Sequence, residues 1–262
     1  MQIVVRGVGD VGSAVALHLF REGHAVVLHD VPMPTTTRRG MAFVDAVFDG
    51  HVLFEGVHAV RAHDLKRVQE ALSAHRAIPI YVRDIAGLLT AVGPDVLVDA
   101  RMRKHSEPEA QLGLAKITIG IGPNFTAAST TDFVVESAWG DALGRVLTVG
   151  ASLPCEGEPR PIEGHGRDRY VYAPCDGLFR TRLKIGDVVT QGQSVAQVES
   201  TSLCAPLGGA LRGLTRDGVP VTTRTKVIEV DPRGATAEVR GIGDRPRRIA
   251  EGVVEVLRRL TS

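Results

Sequence analysis

Three glycines spaced Gly7-x-Gly9-x-x-Gly12 follow directly on the β-prone run Gln2-Ile-Val-Val and open a helical pattern. A strand, a glycine turn and a helix start, in that order, make a phosphate-binding arrangement. Gly7 suits the tight turn, Gly9 lets a pyrophosphate approach the backbone, and Gly12 lets helix and strand pack closely. The amides and the positive dipole end of the first helical turn favour an anion. Asp30 closes the next apolar run, Ala25-Val-Val-Leu-His29, about 20 residues past the glycines, where an acid holds ribose hydroxyls. Asp10 directly follows the second glycine. It suits a helix N-cap, or a ligand for a metal-bridged phosphate, or a catalytic acid, and it sets the chain apart from an ordinary NAD dehydrogenase.

Other residues converge on the same expected crevice. Arg38 and Arg39 end a loop of prolines and threonines that starts at Asp30, and read either as a solvated pair or as a phosphate or carboxylate clamp. Gly122 and Pro123 end the apolar run Lys116-Ile-Thr-Ile-Gly-Ile, so the backbone there can approach a ligand. Asp99 sits at a strand's carboxyl end, the rim where open α/β sheets bind ligands. Arg101, Arg103 and Lys104 follow it, as an anion-holding cluster or as a solvated face. The expected cofactor-binding set is therefore Gly7, Gly9, Asp10, Gly12, Asp30, Arg38, Arg39, Gly122 and Pro123. No catalytic residue is singled out. Cys155, Cys175 and Cys204 are scattered without a CxxC spacing, so no metal site or disulfide framework is expected.

Positioning these residues takes strands alternating with helices. Apolar runs at 51–54, 57–60, 78–82 and 95–99 are separated by helical patterns, with Asp64 as one cap. The pattern predicts a Rossmann-like doubly wound sheet over residues 1–150. Residues 151–168, rich in Pro, Gly and Glu, read as a linker. A gapless repeat follows: Ala173-Pro-Cys-Asp-Gly recurs as Ala205-Pro-Leu-Gly-Gly at an offset of 32 residues. Two short β-rich halves predict a small all-β barrel-sandwich over 169–234, resembling the biotinyl/lipoyl fold. The link between the halves, Glu199-Ser-Thr-Ser-Leu-Cys204, has no lysine, which speaks against a swinging-arm carrier. Residues 235–262 read as a loop and an amphipathic helix, with Ile249, Val253, Val256, Leu257 and Leu260 on one face, packing back on the first domain.

The chain has 262 residues and a formal net charge of +1, with only 4% aromatic residues. That argues against bulk attraction to nucleic acid or acidic membranes, and against base-stacking platforms. No charged-then-apolar leader precedes the first strand and no apolar run approaches a membrane span, so a soluble, cytoplasmic protein is expected.

Several signatures together resemble the YqeB family of (selenium-dependent) molybdenum hydroxylase system proteins, the xanthine dehydrogenase accessory type. They are Arg6-Gly-x-Gly-Asp10, Arg38-Arg39, Gly122-Pro-x-Phe125, Leu143-Gly-Arg145, Ala173-Pro-x-x-Gly177, Lys184-Ile-Gly-Asp187, Asp231-Pro-Arg233 and Gly243-Asp-x-x-Arg247. The resemblance implies an accessory protein that matures a molybdenum-dependent hydroxylase. Its ligand would be a nucleotide or a dinucleotide, NAD(P) or molybdopterin dinucleotide. Its partners would be the apo-hydroxylase or other maturation proteins. The residues also leave open an NAD(P)-dependent oxidoreductase or a non-catalytic regulatory binding module.

Overall fold

Ile3, Val4 and Val5 are fully buried, because the strand that carries them, β1 (Gln2–Arg6), is paired on both sides and covered on both faces. In the computed structural model, which describes residues 1–103, 106–154 and 159–261, this strand is the middle of a nine-stranded sheet. Its members are β1, β2 (Ala25–His29), β3 (His51–Phe54), β4 (Val57–Arg61), β5 (Ile78–Tyr81), β6 (Val96–Asp99), β7 (Ile117–Ile121), β9 (Phe133–Val135) and β10 (Val146–Leu147). The order is β10-β9-β7-β6-β1-β2-β5-β4-β3. Short strands β8 (Thr126–Ala127) and β11 (Gly150–Ala151) pair separately.

Helix α1 (Asp10–Arg21) is buried at Val11 through Leu17 and at Leu19. A helix apolar nearly all round must be covered nearly all round. β1 and β2 lie on one side, and the closing helix α5 (Asp244–Thr261) packs on α1 from the other. Ile249, Ala250, Val253, Val256 and Leu257 form the buried stripe of α5, at the three- and four-residue spacings that share a helix face. Between them are α2 (Asp45–Asp49), α3 (Leu65–Ala74) and α4 (Ile85–Val92). The Asp64 side chain caps α3 through the Arg67 amide, and Asp84 caps α4 through the amides of Ala86 and Gly87.

This is not the doubly wound Rossmann sheet that the alternation predicts. The sheet is mixed: β3 runs antiparallel to β4 at one edge and β10 antiparallel to β9 at the other. Strand–helix alternation also stops at Asp99. β6, β7 and β9 are joined without an intervening helix among the described residues, so no crossover helix winds that half of the sheet. The physical reason is α5, which covers a face that a crossover helix would otherwise have to cover.

The chain divides into two compact units that are not contiguous in sequence. The first holds Met1–Pro32, Ala42–Gly157 and Ile242–Ser262, and the second holds Met33–Met41 and Glu158–Gly241. The second unit contains β12 (Tyr170–Tyr172), β13 (Gly177–Arg180), β14 (Val188–Val189), β15 (Ser194–Val198), β16 (Thr201–Cys204), β17 (Gly209–Leu214), β18 (Pro220–Val221) and β19 (Lys226–Asp231). They form two four-stranded sheets, β12-β19-β17-β14 and β16-β15-β13-β18. The repeat relates β13 to β17 and β14 to β18, and each sheet draws on both halves. A biotinyl/lipoyl-like barrel closed on its own repeat is not the description that fits, because Met33–Met41 completes the unit. The Leu214 amide donates to the Thr37 carbonyl, and Arg39 Nε donates to the Leu214 carbonyl.

Candidate anion-binding site

The glycine turn is built for chain-to-chain contact. Gly7 has φ of +108°, and a Cβ there would lie 2.8 Å from the Ala100 carbonyl oxygen. A Cβ on Gly12 would lie 1.9 Å from the Gly7 carbonyl oxygen. Both glycines therefore let β1, α1 and the segment after β6 close on one another. Asp30 braces the same turn: its Oδ2 accepts the Val8 amide and its Oδ1 accepts the Val31 amide, each at 2.7 Å. Gly9 is the α1 N-cap in extended backbone and supplies no side-chain cap. Asp10 opens the helix and its Oδ1 accepts the Val11 amide at 3.0 Å, among other contacts.

Beside this turn, where β1 and β6 end side by side, three arginines meet two carboxylates. Register pairs Arg6 with Asp99. Arg101 grips Asp99, its Nη2 donating to Oδ2 at 2.5 Å and its Nε to Oδ1 at 3.0 Å. Gln111 Nε2 donates to the same Oδ2 at 2.5 Å. Arg6 Nη1 lies 3.8 Å from Asp99 Oδ2 and donates to Glu109 Oε1 at 2.8 Å. Arg101 Nη2 also donates to Glu109 Oε1, at 2.6 Å, and Arg103 Nη2 donates to Oε2 at 2.5 Å. Arg6 Nε and Gln111 Oε1 are buried without a hydrogen-bond partner among the described residues.

The two carboxylates differ in what they cost to remove. The Asp99 side chain is 1% exposed and that of Glu109 is 45% exposed. Burial opposes ionisation of Asp99, but Arg101, Arg6 and Gln111 outweigh it and hold the carboxyl below its usual range. Partial burial likewise opposes Glu109, and Arg101, Arg103 and Arg6 bring it well below the glutamate range. Burial, with Arg101 alongside, lowers Arg6, against the pull of Asp99. Breaking a buried pair costs about 3–5 kcal/mol, whereas exposed pairs are worth roughly 0–1 kcal/mol. Asp99 is thus structural and Glu109 exchangeable.

The Gly122-Pro123 turn serves this cluster from the side. Ser137 Oγ donates to the Gly122 carbonyl at 2.6 Å, and Asn124 Nδ2 donates to the carbonyls of Arg103 at 3.3 Å and Ser106 at 3.2 Å. The turn holds the arginine-bearing segment through Asn124. Lys104 lies outside the described residues, as does Cys155.

Arg38 and Arg39 belong to the second unit, not to the unit that carries the glycine turn. Arg38 donates from Nε to Glu229 Oε2 at 3.0 Å and from Nη2 to Oε1 at 3.1 Å. Arg169 Nη1 at 3.2 Å and Lys226 Nζ at 3.1 Å also reach this carboxylate, which is wholly buried. His165 forms a surface pair with Asp168. Among the described residues no group of three or more His, Cys, Asp or Glu side chains is placed to hold a metal ion. No helix among them is long and apolar enough to cross a membrane.

Arg6, Glu109 and Gln111 escape notice in the sequence as members of a site. The one available signal is the Asp99-x-Arg101-x-Arg103 run at a strand end. Nothing periodic marks Glu109 or Gln111.

No family model matches the chain. Over 255 residues it is 37% identical to a protein of Escherichia coli strain K12 described as uncharacterized protein YqeB. The match takes in 97% of this chain and 47% of that protein, so the chain spans about half the length of the curated relative it matches. A solved succinylglutamate desuccinylase/aspartoacylase of Rhodobacter sphaeroides is 16% identical, with a TM-score of 0.21, covering 62% of this chain and 42% of that one. The ectoine utilization protein EutE (DoeB) of Ruegeria pomeroyi is 10% identical, with a TM-score of 0.26, covering 87% and 85%. Scores of that size leave the fold to be read from this chain's own strands. The expected role in molybdenum hydroxylase maturation is withdrawn: the relative matched is described only as uncharacterized protein YqeB, which carries no such role. At the expected nucleotide crevice the Ala100 backbone lies against Gly7, and backbone amides take both oxygens of Asp30.

Proposed function

Taking the chain as a YqeB-family sequence that spans about half of its curated relative, we propose that its first unit binds a small anionic molecule where β1 and β6 end. One observation carries the reading. Three guanidinium groups, from Arg6, Arg101 and Arg103, converge on a single half-exposed carboxylate beside the start of α1. Arginine forks bind planar oxyanions through paired, charge-assisted hydrogen bonds. The helix start, where Gly9 supplies no side-chain cap, adds positive potential to the same rim. β1 and β6 are also where the strand order reverses, since β2 and β5 lie on one side of β1 and β6 and β7 on the other. Open sheets bind ligands outside the carboxyl ends of strands at such a point.

The test is a thermal-unfolding panel on the full chain with inorganic phosphate, simple carboxylates, NAD and NADP as probes, repeated with Arg103→Ala. A ligand at 100 times its Kd stabilises the folded state by about 2.7 kcal/mol. The reading expects one anion class to raise Tm in the wild type and not in Arg103→Ala. Equal shifts in both proteins, or none in either, would contradict it. The nucleotide and dinucleotide ligands expected for Gly7, Gly9, Asp10 and Gly12 enter as members of this panel.

A further inference from the structure

We infer that Glu109 occupies the place of the ligand's own acidic group, so that the arginine triad takes a carboxylate and the loop carrying Glu109 is a built-in competitor for it. This rests on the site proposed above and names the group that the site recognises.

The recorded occupant uses both of its oxygens. Oε1 is shared by Arg6 Nη1 at 2.8 Å and Arg101 Nη2 at 2.6 Å, and Oε2 takes Arg103 Nη2 at 2.5 Å. A planar two-oxygen acceptor is what these three forks are set to hold. The arginines are graded from inside to outside, their side chains 9%, 21% and 32% exposed in the order Arg6, Arg101, Arg103. Glu109 closes the open end of that series.

The chain around Glu109 suits release. Ser106, Glu107 and Ala110 are exposed. Two residues on, Gln111 is fully buried and fixed by its side chain to Asp99 and by its amide to the Thr130 carbonyl at 2.8 Å. Glu109 can therefore leave while Gln111 and Asp99 keep the arginines in place. The cluster also has capacity that Glu109 does not use. Arg6 is 7% exposed, and among the described residues neither its Nε nor Gln111 Oε1 has a hydrogen-bond partner. A ligand bearing a carboxylate with a neighbouring polar group would meet both the triad and these atoms.

A tethered competitor lowers apparent affinity by the fraction of molecules in which the site is open. Calorimetric titration of the full chain with glutarate, whose ends copy the CH2–COO− of a glutamate side chain, measures this directly. Inorganic phosphate is the second arm, and wild type, Glu109→Gln, Glu109→Ala and Arg103→Ala are compared. Removing the tethered carboxylate is expected to tighten glutarate binding roughly three- to fivefold in both Glu109 variants. Glutarate is expected to bind those variants more tightly than phosphate, and Arg103→Ala to lose binding. Equal glutarate affinity in wild type and both Glu109 variants, with Arg103 still required, would overturn the competitor while leaving the anion site standing. Phosphate binding more tightly than glutarate to the Glu109 variants would overturn the carboxylate assignment. No binding to any of the proteins would overturn the site and this inference together.

Discussion

Asp30 Oδ2 accepts the amide of Val8 at 2.7 Å, across 22 positions of sequence. With Oδ1 on the Val31 amide, the carboxylate ties the glycine turn to the end of β2. Hydrogen bonds to a charged group contribute about 1.5–3 kcal/mol each. Asp30→Ala is therefore expected to lower stability by about that much or more, read as a shift in the urea midpoint. An unchanged midpoint would return the carboxylate to ligand duty.

Gly7→Ala is expected to cost about 2 kcal/mol or more. The residue holds φ of +108°, and its new methyl group would meet the Ala100 carbonyl at 2.8 Å. Thermal unfolding of the variant checks this. A stability matching wild type would mean that β1 and the segment after β6 sit further apart than described.

Asp99 and Glu109 share the same arginines, yet their removal should differ sharply. Asp99→Ala removes the fully buried carboxylate that Arg101 and Gln111 grip and leaves the arginines only the half-exposed Glu109, at a cost of about 3–5 kcal/mol. Glu109→Ala, at a half-exposed pair, should cost roughly 1 kcal/mol or less. Equal costs would deny that one carboxylate is structural and the other exchangeable.

Glu229 in the second unit gives a pH prediction. Burial opposes its ionisation, but Arg38, Lys226 and Arg212 hold the carboxyl well below the ordinary glutamate value of 4.5. A depressed folded-state value means that the stabilisation is complete above the unfolded value and is lost as pH falls through the folded one. The stability gap between wild type and Glu229→Gln should therefore be widest at neutral pH and begin to close only below about pH 4.5. A gap that closes between pH 7 and 5 would show that Glu229 is not held ionised by these cations.

Local structure was legible in the sequence and the assembly was not. The Gln2–Val5 run, the periodicity after Asp10, the Ala25–His29 run and the cap at Asp64 each form the element that their residues favour. Two things depend on distant partners. Arg38 reads as part of a crevice because it follows Asp30, yet its counter-ion is Glu229, 191 residues on. The sheet reads as doubly wound because strand–helix alternation holds up to Asp99. Beyond that point cover comes from α5, at the far end of the chain. Within the site, Asp99 and Arg101 announce themselves by position at a strand end. Glu109 and Gln111 lie in an irregular segment where neither periodicity nor turn chemistry constrains a side chain.

The most direct measurement is a titration of the full chain with glutarate, following the arginine Nε–Hε resonances by 15N NMR, with assignments from Arg6→Lys, Arg101→Lys and Arg103→Lys. Saturable, parallel shifts of the Arg6, Arg101 and Arg103 signals, with Arg38 and Arg169 unmoved, are the predicted result. Signals of the triad that stay fixed to saturating anion, or shifts confined to the arginines around Glu229, would contradict an anion site where β1 and β6 end.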